Sequence, residues 1–92
     1  MSVRVILGKP FSDAVGAKEV FVGIEGRTVR DVIDRIVADH PPLGRLLFDE
    51  DGGLTDYVVI FLNGRPVPET DAQGPVPKDG DELTLLMPVS GG

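Results

Sequence analysis

Apolar residues recur along this chain with two different periods. Near the N-terminus the pattern alternates, with Val5 and Leu7 on one side and Arg4 and Ile6 on the other. A period of two marks a half-buried strand, here spanning 3–7. Gly8, Pro10 and the polar pair Ser12-Asp13 end it. Val20, Val22 and Ile24 alternate with Phe21 and Gly23, which predicts a second strand over 20–24. Two strands this close in sequence pair most simply as an antiparallel hairpin, here through a loop longer than a tight turn. The period then changes. Val29, Val32, Ile33, Ile36 and Val37 fall at i, i+3, i+4, i+7 and i+8, one stripe of a helix, with Arg30, Asp31, Asp34, Arg35 and Asp39 on the other side. Thr28 stands where its hydroxyl can accept the backbone N–H of Asp31, a Thr-x-x-Asp form of the capping box. Pro41-Pro42 stops the helix, because proline cannot donate and restricts the residue before it.

The second half of the chain returns to strand-like runs. Leu43, Leu46 and Leu47 predict a short helical turn or packed loop, and residues 49–53 an acidic turn. Residues 57–62 are almost wholly apolar and rich in strand formers, as a central strand should be. Asn63-Gly64 is a strong two-residue hairpin signal. The prolines around Val67 restrict the following short strand to a sheet edge. Residues 69–81 are turn-rich. In the last strand, 82–87, Leu83, Leu85 and Met87 share one face, and Thr84 and Leu86 the other. Pro88 ends it. The order hairpin, helix, strand, short strand, strand predicts an α+β layer fold of the β-grasp kind, a mixed sheet of four to five strands with one main helix across one face. The division is a domain at 1–87 and a C-terminal tail at 88–92.

Composition supports a folded domain. Leu, Ile, Val and Phe make up about a third of the 92 residues, well above the roughly one-fifth below which chains stay disordered. Gly 12 and Pro 8 fit many turns. A formal net charge of −6 works against nucleic-acid partners and anionic membrane surfaces, which both require clustered Lys and Arg. No segment approaches the ~20 apolar residues of a membrane span, and the N-terminus lacks a secretory h-region. A soluble cytoplasmic protein is the expectation.

Candidate chemistry is sparse. Cysteine is absent, which excludes disulfides, thiol nucleophiles and Cys-ligated metals. The single histidine, His40, sits at the end of the predicted helix and reads as a surface cap. Asp49-Glu50-Asp51 lacks the alternating rhythm of an EF-hand loop, and Gly52-Gly53 is not followed by a phosphate-binding helix. No catalytic side chain and no metal site are expected. What remains is the chain end. Gly91 and Gly92 expose a carboxylate that no side chain shields, on a tail able to extend roughly 16–18 Å, long enough to enter another protein's active site.

The ending Asp79-Gly80-Asp81-Glu82-Leu83-Thr84-Leu85-Leu86-Met87-Pro88-Val89-Ser90-Gly91-Gly92 resembles that of the ubiquitin-like sulfur carriers. These include the small subunit of molybdopterin synthase and the carriers of thiamine and cysteine synthesis. The stretch Val58-Val59-Ile60-Phe61-Leu62-Asn63-Gly64-Arg65-Pro66-Val67 is similar to their third strand and turn, and Val3-Arg4-Val5-Ile6-Leu7 to their first. The longer 43–57 connection departs from the smallest members, and Met87 stands where the molybdopterin subunits often carry proline.

The resemblance implies that an E1-like adenylating enzyme uses ATP to activate Gly92, and that a persulfide sulfur donor converts it to a thiocarboxylate. A client synthase then receives the sulfur. Pro88, Val89, Ser90 and Gly91 would thread the partner's active site, and the protein would bind no cofactor of its own. The acceptor could belong to molybdopterin, thiamine, cysteine or secondary-metabolite synthesis. Alternation places Ile6 and Leu86 on the sheet face away from the helix. On the third strand both faces are apolar, and similarity to ubiquitin-type folds implies Ile60 outward with Val59 and Phe61 inward. The expected partner-docking patch is therefore Ile6, Ile60 and Leu86. Two other readings stay open: a modifier joined through Gly92 to a lysine of a target, and a non-covalent β-grasp interaction module.

Overall fold

The computed structural model describes residues 2–23, 28–55, 57–67 and 76–87. Strand β1 (Ser2–Leu7) is followed by a short helix α1 (Phe11–Val15) and strand β2 (Glu19–Gly23). Helix α2 (Val29–Asp39) leads through a 3₁₀ turn (Pro41–Leu43) into one turn of helix α3 (Gly44–Leu47). Strands β3 (Val59–Leu62), β4 (Arg65–Val67) and β5 (Glu82–Leu86) complete a five-stranded sheet of order β2-β1-β5-β3-β4. β5 runs parallel to β1 and antiparallel to β3, so the sheet is mixed.

The helix forms where the stripe predicted it. The Thr28 hydroxyl accepts the Asp31 backbone N–H at 3.2 Å, and the Asp31 carboxylate accepts the Thr28 backbone N–H at 3.1 Å, closing the capping box. Val29, Val32, Ile33 and Ile36 are buried, and Val37 packs half-buried against the same core. Burying each such side chain is worth roughly 1.5–3 kcal/mol relative to leaving it exposed. They meet Val3, Val5, Leu7, Leu83 and Leu85 from the two central strands. Arg30 anchors the acidic turn to α2. Its guanidinium lies 4.7 Å from the centre of the Phe48 ring, donates to the Gly52 carbonyl at 3.1 Å and to Asp34 at 3.0 Å.

Three expectations change. The long loop after β1 contains α1, whose Phe11 is completely buried. The apolar run at 57–62 narrows to a strand at 59–62, with Tyr57 exposed before it. The third concerns which way β3 faces, and bears directly on the candidate site.

The entry into β5 is fixed by polar contacts. Asn63 has φ 52° in the β3–β4 turn, and its side-chain oxygen accepts the Glu82 backbone N–H at 2.9 Å. The Asp81 carboxylate accepts the Lys78 backbone N–H at 2.8 Å, and this bond, with a second from the Asn63 side chain, lowers the Asp81 pKa. A depressed carboxylate stabilises the fold above its unfolded pKa, and that contribution disappears as pH falls through the folded value. The destabilisation caused by Asp81→Asn should therefore be measurable near neutrality and shrink as pH drops below the ordinary carboxylate range, near 4. Urea midpoints of both proteins across pH 2.5–7 check this. Because Asp81 is only half-buried and its partners are screened by solvent, the effect should be small.

Candidate functional site

The helix covers one face of the sheet, and the other carries the candidate site. Register decides its composition. Leu7 donates its backbone N–H to Lys18 at 2.8 Å, and β1 pairs with β2 so that Arg4 faces Phe21 and Ile6 faces Glu19. Across β1 and β5, Ile6 stands beside Thr84; across β5 and β3, Thr84 stands beside Phe61, and Leu86 beside Val59. Directly opposed residues on paired strands share a face. Ile6, Thr84 and Phe61 therefore form one row over three strands, with Leu86 and Val59 as the next row on the same side.

Two of the three predicted patch residues lie here. Ile6 is half-buried and Leu86 is 38% exposed. Ile60 does not: it is 2% exposed and belongs to the core. Its partners across the ladder are Leu85 and Val67, both buried, so Ile60 shares their inward face. A one-residue change of register reverses every side chain of a strand. The outward residues of β3 are thus Val59 and Phe61, the reverse of the expectation. Phe61 is the residue that sequence reasoning missed.

The face is apolar at Ile6, Leu86, Val59 and Phe61, polar at Thr84 between them, and charged toward β2. Arg4 donates from Nε to Glu19 at 2.8 Å, and that bond raises the Arg4 pKa. Beyond this pair Phe21 is 66% exposed on the sheet edge. At the opposite end of β5, Leu86 lies beside Gly8, whose N–H donates to the Leu85 carbonyl at 2.9 Å. Leu86 thus stands at the root of the tail. Pro88, Val89, Ser90, Gly91 and Gly92 lie outside the described residues. Among the described residues no three His, Asp or Glu side chains gather into a group able to hold a metal ion, and no helix is long and apolar enough to cross a membrane.

A mixed five-stranded sheet, with an amphipathic helix across one face and its last strand between the first and third, defines a ubiquitin-like β-grasp protein. The chain belongs to the ThiS family, which matches residues 6–92. It is 39% identical over 82 residues to small archaeal modifier protein 1 of Haloferax volcanii, covering 88% of this chain and 90% of the relative. A crystal structure of that organism's small archaeal modifier protein 1 superposes with a TM-score of 0.89 over the whole of both chains, at 34% identity. The BexX/CysO complex of Amycolatopsis orientalis contains a chain that matches with a TM-score of 0.78 at 28% identity, covering 98% of this chain and 99% of that one. These relatives are small ubiquitin-like modifiers and carriers.

Proposed function

We propose that this protein is a sulfur carrier acting through the carboxylate of Gly92. The observation that carries the reading is the family match, which runs through the fold to residue 92 and includes the Gly-Gly end. A carboxylate is a poor electrophile. An E1-like adenylating enzyme would join it to AMP from ATP, releasing pyrophosphate. The terminal sulfur of a persulfide donor would displace AMP, and a donor thiol would reduce the resulting acyl disulfide to the thiocarboxylate. A client synthase would accept that sulfur in cofactor or metabolite synthesis. The chain contributes no catalytic side chain to these steps and binds no cofactor. Its part, in the cytoplasm, is to be recognised and to deliver Gly92 on a tail of small residues. The outer sheet face serves recognition, with Ile6, Phe61 and Leu86 as its apolar centre and Val59 beside them.

A second reading, a modifier joined through Gly92 to lysines of other proteins, is favoured by the name of the 39% identical relative. Intact mass spectrometry of protein isolated from its own cells separates the two. A carrier is heavier by the difference between one sulfur and one oxygen, located at the C-terminus. A modifier leaves branched peptides on target lysines. After trypsin the branch would be residues 79–92, because Lys78 is the last cleavage point. Full function in a strain whose copy lacks Gly91 and Gly92, with neither species present, would sink both readings and leave a non-covalent interaction module.

A further inference from the structure

Gly8 holds no backbone conformation that requires glycine. Among the described residues the positive-φ glycines are Gly16, Gly52, Gly64 and Gly80, each in a turn, and Gly8 is not one of them. Its surroundings are nonetheless the tightest of the glycines whose neighbourhoods are described. A Cβ added there would come within 2.7 Å of Leu86 Cδ2, a separation that real Cβ atoms do not show. The next atoms are the Leu85 carbonyl oxygen at 3.6 Å and Leu86 Cα at 3.8 Å, both at ordinary contact distance. The conflict is therefore with the far end of one flexible side chain, not with the strand behind it. Gly8 meanwhile extends the β1–β5 ladder to the tail root through its 2.9 Å bond to Leu85, and accepts the Ser12 N–H at 3.0 Å.

We infer that Gly8 is a positioning residue for partner docking: the missing side chain leaves a seat in which Leu86 lies across the end of β1. Resting on the carrier reading above, this identifies what sets the shape of the apolar face where it meets the tail. Leucine has staggered side-chain alternatives at modest cost, so a methyl group at Gly8 would turn Leu86 out of its seat while the ladder stayed intact. The surface that an activating enzyme reads would change without a change of fold.

The test is a double-mutant cycle on Gly8→Ala and Leu86→Ala, assayed as the full chain with its E1-like adenylating enzyme and ATP. Gly8→Ala should raise KM for the carrier about ten-fold with kcat within about two-fold of wild type, the mark of lost binding common to ground and transition states. In the Leu86→Ala background, where the obstructing methyls are gone, the same change should alter KM less than about two-fold. Leu86 methyl resonances should move in Gly8→Ala while amide exchange in β1 and β5 stays slow. Unmoved methyls, an unchanged KM, or an equal KM penalty in both backgrounds would overturn the inference. Lost exchange protection would make Gly8 structural, and so would also overturn it. Absence of wild-type adenylation is a separate outcome: it fails the carrier reading, and this assignment with it.

Discussion

Phe61→Arg should weaken docking, raising KM for adenylation by about thirty-fold or more, while the protein stays folded. Ile60→Arg, one residue away, should leave little folded protein at all. The contrast follows from the register of β3. Phe61 faces outward beside Thr84, whereas Ile60 is 2% exposed between Leu85 and Val67. Aromatic residues near the centre of an interface carry a disproportionate share of binding, about 2 kcal/mol or more when removed, which corresponds to that factor of thirty. An arginine forced into the site of Ile60 places an unpaired charge in the core, at a cost of several kcal/mol. Steady-state kinetics with the activating enzyme and urea unfolding of both variants measure the two halves. If Phe61→Arg unfolds and Ile60→Arg folds, the face assignment is reversed; if Phe61→Arg is folded and fully active, the face is not the docking surface.

The largest stability loss from a simple truncation is expected at Phe11→Ala. Phe11 is fully buried and is the one completely buried residue of α1. Deleting a buried phenyl ring costs about 3–5 kcal/mol. A domain of this size has about 5–15 kcal/mol in total, so the variant should sit near the edge of stability. Urea titration followed by circular dichroism gives the loss directly. A cost below about 1 kcal/mol would mean that α1 is not part of the core.

These two positions show what the sequence conveyed and what it did not. The helix at 29–39 was legible because its stripe, its cap and its stop all agree: Val29 to Val37, Thr28 with Asp31, and Pro41-Pro42. Alternation likewise gave the faces of the first and last strands, because Arg4 and Thr84 mark the outer side between Val5 and Leu83. Neither device works on β3, where every residue from 59 to 62 is apolar. The information lay in the turn instead. A two-residue Asn-Gly turn sets Leu62 opposite Arg65, Phe61 opposite Pro66 and Ile60 opposite Val67, and Val67 is the apolar residue of that short strand that needs cover. Likeness to ubiquitin-type folds pointed the wrong way where this local rule would have sufficed. α1 was hidden for a different reason. A five-residue helix has almost no stability of its own and exists through tertiary contact, here that of Phe11. The bracket of Pro10 before it and Gly16 after it, the latter at φ 84°, was the only local sign. As for the candidate site, Gly91-Gly92 is plain in the sequence, but on the proposed reading its chemistry is completed by other proteins.

The place of β5 has a consequence for biosynthesis. β5, the last of the described strands in chain order, fills the middle of the sheet, between the first strand and the third. Until it arrives, β1 and β3 have no common neighbour, and Thr84 and Leu86 are missing from the outer face. A nascent or prematurely terminated chain that stops short of residue 82 therefore lacks both the strand that joins β1 to β3 and the part of the outer face proposed for docking. On the carrier reading, such truncated chains would be passed over before activation.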